Sequence, residues 1–116
     1  MKRDYIYFLN DIVTHIEKIE KFTKNMSFEE FEVDEKTVSA CIREIEVIGE
    51  AVKQIPKEIR QKFGDLPWSL MAKMRDKLIH WYFEIDEEIV WKVIDEKLPD
   101  IKIKVIQIIK ELEKYS

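Results

Sequence analysis

Val38-Ser39-Ala40-Cys41-Ile42-Arg43-Glu44-Ile45-Glu46-Val47-Ile48-Gly49-Glu50-Ala51-Val52-Lys53-Gln54-Ile55-Pro56 places Val38, Cys41, Ile42, Ile45, Ile48, Gly49, Val52 and Ile55 at steps of one, three and four. Each residue of an α-helix advances ~100° round its axis, so this spacing stacks all eight on one face. A half-buried strand would need alternation at every second residue, and there is none. Asp34 is placed to cap the helix and Pro56 stops it. Gly49 lies inside the stripe, where it costs ~1 kcal/mol of helix propensity relative to Ala, so a neighbouring helix is expected to come close there.

Working outward, the same period governs the flanks. From Asp4 to Lys24, Tyr5, Leu9, Ile12, Val13, Ile16 and Ile19 form one apolar face. Ser27 and Glu30 have capping-box spacing and predict a short helical turn. Lys57 to Phe63 reads as one or two turns closed by Gly64, chosen for its tolerance of positive φ. Pro67 suits the first turn of a further long helix, since it has no amide hydrogen to leave unpaired. That helix carries Trp68, Leu70, Met71, Met74, Leu78 and Ile79.

Three consecutive rings, Trp81, Tyr82 and Phe83, break the pattern and predict a kink or helix end. Asp86 is placed to cap the next helix, with Ile85 and Val90 forming a hydrophobic staple. Its apolar side is Ile89, Val90, Trp91, Val93 and Ile94. Leu98 and Pro99 mark a boundary, after which a last helix to Lys114 buries Ile101, Val105, Ile108, Ile109 and Leu112. The expected fold class is all-α: a compact bundle of four to five helices in a single domain, residues 1–116.

Composition supports this and excludes several functions. The 116 residues are 46% hydrophobic and 38% charged, with only two Gly and three Pro, too few breakers for a turn-rich β-sandwich. The net charge of −4 gives no global basic field, so a polyanion must be met locally. Two glycines cannot build a P-loop or a dinucleotide fingerprint. One Cys and two His fall short of a structural zinc set. No metal or other cofactor is implied. The apolar run from Tyr5 to Leu9 is too short for a signal peptide, and nothing approaches a membrane span, so a cytoplasmic protein is expected.

The residues that could carry chemistry are Met74-Arg75-Asp76-Lys77-Leu78-Ile79-His80-Trp81-Tyr82. Cleaving RNA by attack of its 2′-hydroxyl needs a base, an acid and a fixed cation to meet the charge that builds on the phosphoryl oxygens. His80 suits proton transfer, and the Arg75 guanidinium can grip two phosphate oxygens at once. On one straight helix the two lie ~140° apart, so either the helix bends or a second chain completes the site. The bland reading makes Arg75 and Asp76 surface charges, with His80 and Tyr82 half-buried and hydrogen-bonded. Spacing alone favours the bland reading.

At these residues the chain resembles the HepT-like ribonuclease family, a branch of the HEPN superfamily of small helical domains. The family motif, Arg, four residues, His, any residue, Tyr, is matched by Arg75, His80 and Tyr82, with polar Asp76 after the Arg. Ile48-Gly49-Glu50-Ala51, Leu66-Pro67-Trp68, Val90-Trp91 and Leu98-Pro99 follow in family order, so the likeness covers most of the chain from Val38 onward. It implies a metal-independent endoribonuclease, the toxin of a toxin-antitoxin pair, acting as a homodimer with Arg75 and His80 catalytic and Asp76 and Tyr82 supporting. It also implies a nucleotidyltransferase antitoxin of the MNT kind that transfers AMP to Tyr82. Glu50 matches a family feature but is given no catalytic role.

Local RNA contacts are expected from Lys73, Lys77 and lysines of the last helix, with weak and salt-sensitive binding. Tyr82, Trp81 and Trp68 could stack on bases, although Trp68 and Trp91 better suit core or interface. His15 and Cys41 read as a helix-face histidine and a buried thiol with no partner visible in sequence. The rival class is a non-catalytic module that binds a nucleotide or a nucleotidyltransferase. After it comes a purely structural helical adaptor.

Overall fold

The structure is a computed structural model that describes residues 2–80 and 86–114, with side chains at 5–74 and 86–114. It is built of α1 (Lys2–Phe22), α2 (Phe28–Glu32), α3 (Glu35–Lys53), α4 (Lys57–Lys62), α5 (Trp68–His80), α6 (Glu87–Lys92), a π-helical turn (Val93–Lys97) and α7 (Leu98–Glu113). No strand occurs among the described residues. The all-α bundle expected from periodicity is therefore the observed fold.

The caps fall where short-range chemistry put them. Ser27 Oγ accepts from the Glu30 amide at 3.2 Å while the Glu30 carboxylate accepts from the Ser27 amide at 2.9 Å, closing the capping box of α2. Asp34 caps α3 by accepting from the Thr37 amide at 3.0 Å, and that hydrogen bond above all holds its carboxyl below the usual carboxylate range. Asp86 caps α6 by accepting from the amides of Glu88 and Ile89. The staple partner Ile85 lies outside the described residues.

α3 is the central element, packed against both α1 and α5. Leu9, Ile12, Ile16 and Ile19 of α1 are wholly buried and meet Cys41, Ile45, Ile48 and Val52 of α3 in one core that Val105 and Ile108 of α7 complete. Burying an aliphatic side chain of this size contributes ~1.5–3 kcal/mol, so these faces outweigh the cost of Gly49, itself buried in the stripe. Phe31 of α2, wholly buried, meets Trp91 of α6 at 5.0 Å between ring centroids, and Phe28 approaches the same indole at 6.2 Å. Trp91 thus belongs to the packing, as expected.

Three local expectations are corrected. Leu98 and Pro99 do not separate two helices, because 87–113 is helical throughout and passes from α6 to α7 through the π-turn. Inside an α-helix a proline ring collides with the carbonyl four residues back. Here the turn widens just before Pro99, and the Leu98 amide reaches back five residues to the Val93 carbonyl.

Gly64 does not take positive φ. Asn25, following α1, holds the left-handed conformation at φ 63°. The turn at Gly64 is closed instead by donors to the Phe63 carbonyl, from the Leu66 amide and the Trp68 indole. Leu70 and Ile89, counted among core residues, are 40% and 47% exposed, because each sits at the edge of its helix's apolar arc.

Candidate functional site

α5 carries the residues singled out for chemistry, and its foundations are well defined. Trp68, its first residue, is buried, and its indole Nε1 donates to the Phe63 carbonyl at 2.9 Å. Pro67 stands just before the helix and its carbonyl accepts from the Met71 amide, so it serves as the N-cap, one position earlier than expected. Met71 and Met74, three residues apart, are buried on the side of α3. Lys104 of α7 donates to the Asp65 carbonyl at 3.3 Å and pairs with Asp100 at 3.1 Å, which ties the connection ahead of α5 to α7.

The helix runs α-helical from Trp68 to His80, so the register of every position is fixed. Met71 and Met74 mark the inward face. Lys73 is exposed, and positions 77 and 80 follow it along one stripe at steps of four and three. Arg75 and His80 both lie on this one helix with no turn of another kind between them. Five residues at 100° each put their positions ~140° apart round the axis. The side chains of Arg75, Asp76, Lys77 and His80, all of Tyr82 and the expected break over 81–83 lie outside the described residues. Glu50 is exposed on α3.

One arrangement escaped sequence reading. His15 of α1 and Glu44 of α3 meet at 2.5 Å between Nδ1 and Oε1, with only 17% and 13% of their side chains exposed. The partners are 29 positions apart, and only the packing of α1 on α3 brings them together. Cys41, one turn before Glu44, is buried, and its thiol is pushed up to about 12, by burial first and by the Glu44 carboxylate second. That keeps it protonated and a poor nucleophile near neutrality. Among the described residues no helix is long and apolar enough to cross a membrane.

The family described as Ribonuclease HepT-like matches residues 12–108. The chain belongs to the HepT-like ribonuclease family. A Thermococcus cleftensis protein named as a probable ribonuclease HepT is 47% identical, the match covering 88% of this chain and 93% of that protein. Two Methanocaldococcus jannaschii proteins that carry provisional RNase names are each 48% identical over 97% of this chain, covering 93% and 97% of their own lengths. No solved structure gives a significant match.

Proposed function

We propose that this chain is a cytoplasmic, metal-independent endoribonuclease, the toxin of a toxin-antitoxin pair, and that Arg75 and His80 carry the reaction. The observation behind this reading is that both residues fall on one unbroken α-helix in a member of a ribonuclease family. The RNA 2′-oxygen attacks the adjacent phosphorus, the bond from phosphorus to the 5′-oxygen breaks, and a 2′,3′-cyclic phosphate and a 5′-hydroxyl result. His80 takes or returns the proton, and Arg75 meets the charge growing on the non-bridging oxygens. Asp76 supports the motif.

A single helix does not turn positions 75 and 80 to one face, and one imidazole cannot readily be base and acid in the same displacement. A twofold pair of chains answers both needs by bringing Arg75 of one copy towards His80 of the other, with a second His80 close by. Lys73 and Lys77, whose positions share the stripe of His80, supply local cations for the RNA backbone.

Tyr82 is the control point. In a complex with a nucleotidyltransferase antitoxin of the MNT kind, its hydroxyl oxygen attacks the α-phosphorus of ATP and pyrophosphate leaves. The phosphate then attached to Tyr82 occupies the anion site of Arg75 and repels RNA.

The test is a cleavage assay in excess chelator at low salt, with wild type and His80→Ala purified without partner and intact mass used to establish that Tyr82 is unmodified. Wild type is expected to cut and His80→Ala to remain folded and inactive. Unmodified, dimeric wild type that leaves a broad RNA pool intact would overturn the reading.

A further inference from the structure

Charge is unevenly distributed along the chain. Residues 51–80 hold seven Lys and Arg against three Asp and Glu, a net of +4, while the remaining residues hold 13 against 21, a net of −8. A polyanion is therefore repelled by most of the molecule and drawn to this part.

α4 lies in the middle of the basic segment. Ile59 and Phe63, one turn apart, pack it against the core, which leaves Lys57 and Gln61 on the opposite face with Glu58 and Lys62 beside them, all exposed. Arg60 is half-buried at the edge of that face, and its Nε, itself buried, has no hydrogen-bond partner among the described residues. Lys62 lies over the Phe63 ring at 5.6 Å. The hydrogen bond from Trp68 to the Phe63 carbonyl holds the end of α4 to the head of α5. From Trp68 to position 80 the helix rises ~18 Å, with Lys73 between them.

We propose that the outer face of α4, through Lys57 and Arg60, is a second RNA-backbone subsite, continued along α5 by Lys73 and separate from the groups that do the chemistry. It rests on the ribonuclease reading for its ligand, and it gives that reading a substrate preference: strands long enough to span from the motif to α4 bind better than short ones. Contact there is to phosphates, so it is indifferent to sequence.

The experiment measures binding of a 2′-O-methyl RNA of about twelve nucleotides, which lacks the attacking hydroxyl, and of the corresponding dinucleotide. Variants are Lys57→Gln, Lys57→Gln/Arg60→Gln, and Lys18→Gln/Lys21→Gln on α1, which changes net charge equally at exposed positions elsewhere. Each lost phosphate contact lowers the slope of log K against log salt by ~0.7, about fivefold in affinity at 0.1 M salt. The α4 variants are expected to bind the longer strand about fivefold and about 25-fold more weakly, with dinucleotide binding and the α1 variant as wild type. Equal losses in the α1 and α4 variants, or no loss in Lys57→Gln, overturn the proposal. Binding does not require cleavage, so a wild type that binds as expected and fails to cut overturns the nuclease reading while leaving this surface in place.

Discussion

The indole of Trp68 hydrogen-bonds the backbone carbonyl of Phe63 at 2.9 Å, fastening the first residue of the motif helix to the end of α4. The ring is buried at the same time, so one side chain sets both the depth and the direction of α5. Trp68→Phe keeps most of the apolar body and loses the donor, which should cost about 1 kcal/mol. Trp68→Ala leaves a cavity and should cost about 3–5 kcal/mol. Urea unfolding with an unchanged slope checks both, and a Trp68→Phe variant as stable as wild type would remove the hydrogen bond from the account.

The ~140° between positions 75 and 80 leads to a mixing experiment. Arg75→Ala and His80→Ala should each fold, dimerise and cleave at least a hundredfold more slowly than wild type, the usual scale for losing a positioned proton-transfer or charge-stabilising group. If Arg75 works with the His80 of the other copy, unfolding and refolding the two variants together restores part of the activity. Recovery in demonstrated mixed dimers would show that Arg75 of one chain works with His80 of the other and that one His80 suffices; no recovery would mean that the pair acts within one chain or that both copies of His80 are required.

Cys41 should be inert to alkylation in the folded protein at pH 8 and react at once in urea, because its thiol is held up to about 12 by burial and by Glu44. The folded thiol keeps its proton where the unfolded one, with a value near 9.0, has lost it. The associated stability is fully present below about pH 9 and declines as pH rises from about 9 towards 12. Cys41→Ala should be less sensitive to pH over that window. Glu44→Gln removes the second cause, so native Cys41 should react somewhat faster; unchanged reactivity would leave burial as the sole cause.

The π-turn before Pro99 has the character of one inserted residue. Deleting exposed Glu96 should be tolerated only together with Pro99→Ala, because deletion alone restores a collision between the ring and a carbonyl four residues back. Circular dichroism and melting temperature distinguish the two. A single deletion as stable as the double variant would show that Pro99 is not what holds the turn open.

Much of the fold could be read from residues a few positions apart. The caps at Ser27, Asp34 and Asp86 depend on contacts within three residues, and the stripes of α1, α3 and α7 on a period that survives packing. The pairing of His15 with Glu44 was hidden because it joins two helices whose relative rotation no local spacing encodes. Pro99 misled because a proline reads as a stop, while the chain bypassed it by widening the helix. Leu70 and Ile89 misled because an apolar residue at the margin of a stripe is buried only if a neighbour is wide enough to reach it. At the site, Arg75, His80 and Tyr82 stood out through resemblance to a family motif, and periodicity gave only the angle between the first two.

That angle carries a kinetic consequence. If two copies must meet to make one reaction centre, the rate of cleavage rises with the square of protein concentration until the pair is saturated. A few molecules would then be nearly silent, and a modest rise in copy number would switch the activity on steeply.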